Sequence, residues 1–190
     1  MRNKRLLATL AVGLLLATAG CSQLLTGDAS FSASESGVDD ADEVGFELNR
    51  TEWQNITRTV EAGGEERDIS VNNRIQVYLN RSESGTPEAA FAVVTSPQVQ
   101  VAGQPMNPVA DWDNEQILEE FGGQFDQYGS IEELDERDTD TETILDTETE
   151  VSTFEATVES DAGDTREVVV SVTKVQDESD FIIAIGVHED

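Results

Sequence analysis

The 190-residue chain contains one cysteine, one histidine, four prolines and 6% aromatic residues. A single Cys excludes an intramolecular disulfide framework and a Cys-based zinc site. With His188 as the single His, a catalytic triad or a metal cluster would have to be built almost without histidine. Basic residues are equally scarce: 11 Lys and Arg stand against 40 Asp and Glu, for a formal net charge of −29. A nucleic-acid duplex is held by basic side chains that release counterions, so nucleic acid is not an expected partner. Nucleophile-elbow, phosphate-loop and dinucleotide motifs are missing as well, and no cofactor is expected.

The apolar run from Leu6 to Ala19, fourteen residues, is too short for a mature spanning helix, which needs ~20. It follows the basic residues Arg2, Lys4 and Arg5 and precedes Thr18-Ala19-Gly20-Cys21. A charged start, a short apolar core and small residues before a Cys describe a signal peptide over 1–20, with a lipobox-like end at which Cys21 becomes the acylated first residue. Acyl chains then contribute ~0.8 kcal/mol per buried methylene to membrane attachment. An ordinary secretory signal is the alternative, and these residues do not separate Sec from Tat export.

Residues 1–20 include three basic and no acidic residues, so export makes the mature chain still more acidic. Beyond them the acids are interleaved with strand-like apolar residues, which describes a folded domain with an acidic skin. Such charge density repels itself in dilute salt, but at 1 M salt the Debye length is only ~3 Å. The chain therefore reads as adapted to molar salt. An acidic protein that binds cations or basic partners is the alternative.

Residues 21–45 are rich in Ser, Gly, Ala and Asp, with Phe31, Val38 and Val44 as the only large apolar residues beyond Thr26; this composition predicts a flexible acidic tether. A single domain is expected over 46–190. Ile69, Val71, Ile75, Val77 and Leu79 alternate with polar residues, the period of a half-buried strand, and a Gly-rich break separates them from the alternating stretch Trp53 to Glu61. Ala89 to Thr95 is a continuous apolar run, as in a central strand. One helix is predicted from Asn114 to Tyr128, capped by Asp113 and weakened by Gly122-Gly123. Further strands follow, ending in an antiparallel meander. Strands, a helix, then strands predict an α+β fold: an antiparallel β-sheet of about seven to nine strands packed against one main α-helix.

The lipobox-like end, the segment Ala92-Val93-Val94-Thr95-Ser96-Pro97-Gln98-Val99 continuing to Gly103-Gln104-Pro105-Met106-Asn107-Pro108, and the strand Thr153-Phe154-Glu155-Ala156 resemble a family of haloarchaeal lipoproteins of unknown function. The resemblance covers most of 46–190. It implies an archaeal cell-surface location and brings no catalytic or binding residue with it. The element order is also similar to Mog1- and PsbP-type α+β domains, an analogy of fold alone.

With 40 acidic residues, paired carboxylates are expected by chance and identify no general acid or base. Asp111-Trp112-Asp113-Asn114-Glu115 alternates oxygen ligands but lacks the Gly and distal Glu of a calcium loop, so helix capping is the expected role and no metal is expected. Asn49, Asn55 and Asn80 begin glycosylation sequons. Met106 and Trp112 lie in a Pro-rich segment that would present them to a partner, or fold them onto the helix and sheet. The expected role is a lipid-anchored, non-enzymatic interaction or assembly module on the extracellular face of a halophilic archaeal membrane. It is attached to the membrane through Cys21, with an unidentified envelope protein or small ligand as partner. The alternative is a small-ligand-binding lipoprotein or a carboxylate-dependent hydrolase. Circular dichroism should show a cooperative fold at about 3 M salt that is lost towards about 0.1 M; an unchanged fold across that range refutes adaptation to brine.

Overall fold

The computed structural model describes residues 29–35, 38, 40–62, 65–101, 104–128, 130–159 and 165–189. The expected signal peptide and Cys21 lie outside them. The alternating stretches around Ile56 and Ile75 form two long strands, β2 (Glu47–Ala62) and β3 (Glu65–Arg81), paired antiparallel from Glu47 opposite Leu79 to Ala62 opposite Glu65. The apolar run becomes β4 (Pro87–Pro97), central as expected, between β3 and β10 (Asp180–Glu189). The meander is β7 (Ser130–Ile144), β8 (Thr147–Glu159), β9 (Thr165–Asp177) and β10. One eight-stranded sheet results, in the order β2-β3-β4-β10-β9-β8-β7, with β1 (Ala29–Ser32) parallel to β3. A two-stranded ribbon, β5 (Gln100–Val101) and β6 (Gln104–Pro105), stands apart.

This corrects the expected α+β, Mog1/PsbP-like fold. Of the described residues 69% are strand and 14% helix, with one short α-helix among them rather than a main helical layer. The helix α1 (Asn114–Phe121) starts as expected, with a capping box in which Gln116 N–H donates to Asp113 Oδ1 at 2.9 Å and Asp113 N–H to Gln116 Oε1 at 3.2 Å. It stops at the Gly pair because glycine is about 1 kcal/mol worse than alanine in a helix. The chain continues from Gly122 to Tyr128 as a tighter 3-10 turn.

The structure also places residues of the expected tether on the sheet. β2 occupies one edge of β3 along nearly its whole length, and β4 pairs only with Arg74–Arg81 on the other. That leaves the first part of the second edge open. β1 fills it, with Ala29 opposite Ile69 and Phe31 opposite Val71. Two apolar residues suffice because the partner strand supplies the backbone hydrogen bonds that a free tether would seek from water.

One face of the sheet carries the main core. Ile75, Val77, Ala92, Val94, Val170, Val172, Ile183 and Ile185 are buried there beneath Val109, Ile117, Leu118, Phe121 and Phe125 of the covering segment. Each fully buried large side chain contributes ~1.5–3 kcal/mol. A smaller cluster of Ala29, Ile69, Val71 and Val99 continues the same face under Met106. Asn73, which interrupts the apolar alternation of β3, lies between the two clusters and is fully buried. Ser96 Oγ donates to Asn73 Oδ1 at 2.7 Å, and Asn107 Nδ2 donates to Ser96 Oγ and to the Pro97 carbonyl, both at 2.7 Å. The Val109 N–H completes the chain on Asn107 Oδ1 at 3.1 Å. Asn107→Ala would leave Ser96 Oγ, the Pro97 carbonyl and the Val109 N–H short of partners, and an unsatisfied buried group costs ~1–3 kcal/mol. A loss of about 3 kcal/mol is expected in salt-supported chemical denaturation, against less than about 0.5 kcal/mol for an exposed substitution such as Thr141→Ala.

Candidate functional site

The second face of the sheet is built from the other residues of the same strands. Tyr78 and Phe91 are directly opposed on β3 and β4; Phe91 faces Gly186 on β10, and Gly186 faces Ser171 on β9. The connection from β1 to β2 passes over this face and is fastened to it at successive points. Ser34 N–H donates to Asp180 Oδ2 at 3.4 Å, Val38 N–H donates to Tyr78 Oη at 3.2 Å, and the Phe46 ring meets Phe91 edge-on with centroids 6.3 Å apart. Between them a 3-10 turn, Ala41–Val44, ends at Gly45, whose φ of 85° is left-handed. A Cβ on Gly45 would also lie 2.9 Å from Asn80 Nδ2, so glycine is required there on two grounds.

The strap and the sheet enclose an open cleft of about 300 Å³. Val38, Val44 and Phe46 form its outer wall, while Phe91 and Gly186 lie in its floor and His188 at its end. The hollow exists because Gly186 has no side chain. A Cβ built at Gly186 meets nothing within 4 Å. Among the described residues no carboxylate lines this cleft, although the chain has 40 acidic residues. The rim is apolar and wet, with Val44 71% and Val38 36% exposed. Its polar contribution is the His188 ring, whose Nδ1 lies 2.7 Å from the Glu189 carbonyl oxygen. Such a surface holds apolar groups by desolvation.

Other hollows carry less. Beside α1, Glu115, Glu119 and Glu136 surround a space of about 220 Å³. Among the described residues no group of three or more His, Cys, Asp or Glu is placed to hold a metal ion. Asp180 is the one buried carboxylate among the described residues, and it serves to hold the strap.

The residues nominated from sequence are dispersed. Met106 is half-buried on the smaller cluster, and its N–H donates to the Val99 carbonyl at 2.8 Å. Trp112 packs edge-on against Phe121 at 6.0 Å on the main core. Both therefore lie on the core side of the sheet, away from the cleft. Asn49 and Asn55 are exposed on β2, six residues or roughly 20 Å apart, while Asn80 is half-buried beside Gly45. Lys174, the only lysine after Lys4, ties down the segment that carries Trp112. Its Nζ donates to the carbonyls of Val109, Ala110 and Trp112 at 2.9, 3.2 and 2.6 Å. Burial lowers the pKa of this ammonium, and Asp111 and Asp113 oppose that shift. Sequence reasoning missed Gly186. The available signal was a lone glycine inside the apolar strand Ile182-Ile183-Ala184-Ile185-Gly186-Val187, which marks a place where something approaches the backbone closely.

The model of one family, described as a domain of unknown function, DUF6517, matches residues 35–189. No curated protein and no solved structure matches the chain. Since space is free above Gly186, Gly186→Val should fill the cleft without strain. Valine also favours strands, so thermal melts should show stability unchanged or raised by up to about 1 kcal/mol. A clear loss of stability would mean that the floor is not open.

Proposed function

We propose, for a chain that belongs to the DUF6517 family of domains of unknown function, that it is a lipid-anchored domain on the outer face of a halophilic archaeal membrane. There it acts by non-covalent recognition, as an envelope interaction or assembly module. The observation that carries the binding role is the cleft over Gly186, apolar in its described lining and opened to solvent by the exposed Val38 and Val44. Anchoring rests on Thr18-Ala19-Gly20-Cys21 behind the short apolar run. Resemblance to haloarchaeal lipoproteins and the acidic skin support the setting.

Because β1 begins at Ala29, only seven residues lie between it and Cys21, a reach over eight Cα steps of at most roughly 29 Å. The anchored end meets the sheet at the start of β3, beside Ile69. The cleft lies near Tyr78 and Phe91, nine residues or about 30 Å further along β3. On this reading the cleft lies at the end of β3 remote from the anchored segment, which leaves it accessible to envelope proteins. A small apolar ligand is the second reading, favoured by the volume of about 300 Å³, which is at the lower bound for small-molecule sites. Asn49 and Asn55, exposed on β2, are proposed acceptors for glycan, with Asn80 the more sheltered third.

Mass spectrometry of the native protein is expected to show Cys21 as an acylated first residue, and Cys21→Ser to release the protein into the medium. Cross-linking at molar salt should capture a protein partner from wild type and not from Gly186→Val. An apolar fluorescent probe displaced by an extracted small molecule instead would establish the ligand reading. Identical capture by both proteins would sink the cleft as the binding site.

A further inference from the structure

The two outer strands of the sheet differ in how they treat an approaching chain. β7 forms one edge. From Asp135 to Glu142 it carries Asp135, Glu136, Asp138, Asp140 and Glu142 against Arg137, and its pairing with β8 shifts register twice. Charge and bulges of this kind keep a second strand away. β2 forms the other edge, and among the described residues its sheet partner is β3 alone. From Arg50 to Val60 it runs eleven residues without a bulge, with Glu52 and Arg58 as charges of opposite sign after Arg50. In an otherwise acidic molecule this is a long, regular and nearly neutral edge, with Trp53 52% exposed upon it.

We propose that this edge joins two copies of the chain, β2 against β2, antiparallel about a two-fold axis through Asn55. The register follows from charge and geometry together. In a continuous antiparallel sheet opposed residues lie on the same face, so the axis passes through a residue. An axis at Asn55 uses the whole regular stretch, placing Arg50 opposite Val60. It also sets Glu52 of each copy opposite Arg58 of the other, twice by symmetry. Shifting the axis by one residue towards the amino terminus sets Arg50 opposite Arg58; shifting it the other way leaves Glu52 opposite Val60. Arg50 Nε holds Glu52 Oε1 at 2.9 Å, which fixes the carboxylate before association. Repulsion between two acidic bodies is screened at molar salt, where the Debye length is ~3 Å, while opposed side chains remain in contact. Asn55 on the axis makes pairing and a glycan at that residue mutually exclusive. The inference is independent of lipid anchoring and of the cleft.

The test uses the full chain with Cys21→Ser, at molar salt under mild oxidation. Residues facing each other across antiparallel strands have Cα atoms about 4.5–5.5 Å apart, within disulfide range. Asn55→Cys should therefore cross-link to its own copy. Thr51→Cys and Thr59→Cys should each fail alone and cross-link when mixed. Sedimentation should show a dimer whose dissociation constant rises roughly tenfold in Arg58→Glu and recovers in Glu52→Lys with Arg58→Glu. A monomer at all concentrations overturns the proposal. So does self-cross-linking of Thr59→Cys equal to that of Asn55→Cys, or a glycan occupying every Asn55 in the native protein.

Discussion

A single sheet cannot bury itself, and in this protein the burial of its core face depends on how the connection between β4 and β7 is pinned down. The pins are polar. Asn107 is held by Ser96, the Pro97 carbonyl and the Val109 N–H, with Asn73 at the far end of the chain of bonds. Lys174 draws in three carbonyl acceptors, of Val109, Ala110 and Trp112, from the next turn. Desolvation makes each of these groups costly if left unpaired and directional when paired. Directionality places Val109, Trp112 and Phe121 over the sheet, where apolar contact alone would accept several registers. The stretch from Thr95 to Pro108 that carries the family resemblance is thus also the stretch that closes the core.

The opposite face is managed differently. Among the described residues no α-helix covers it; the amino-terminal connection crosses it, held by Asp180, Tyr78 and Phe91. A strap narrower than the sheet leaves space, and the missing side chain of Gly186 deepens that space into a cleft. The proposed binding role and the proposed lipid anchor then meet in one piece of chain. The segment leading from Cys21 first adds β1 to the sheet, then forms the cleft wall.

Much of the strand pattern was legible. The alternation in β3, the continuous apolar run of β4 and the turn signals of the meander each reflect a local requirement, burial of one or two faces of an extended chain. The helix start was legible for the same reason, since a cap acts within one turn. The α+β expectation fails because apolar spacing continues the helix through Gly122-Gly123, where backbone entropy favours stopping. β1 was read as tether because four residues, two of them Ser, carry almost no signal until an open strand edge is offered. Gly186 escaped notice because a glycine's importance depends on what lies above it. Met106 and Trp112 were drawn out by the prolines around them, yet their packing is set by Asn107 and Lys174, distant in sequence from one another.

By itself the sequence determined the charge, the short amino-terminal apolar run with its Cys, the scarcity of cysteine and histidine, and the local alternation that makes strands. These properties belong to residues and near neighbours, and survive any arrangement of the chain. Only the tertiary structure decided that one sheet would hold eight strands, that the amino-terminal segment would become strand and strap, and that a cleft would open over Gly186. Those outcomes depend on contacts between residues far apart along the chain, such as Ala29 with Ile69 or Lys174 with Val109. Their free energy exists only when both partners are already in place.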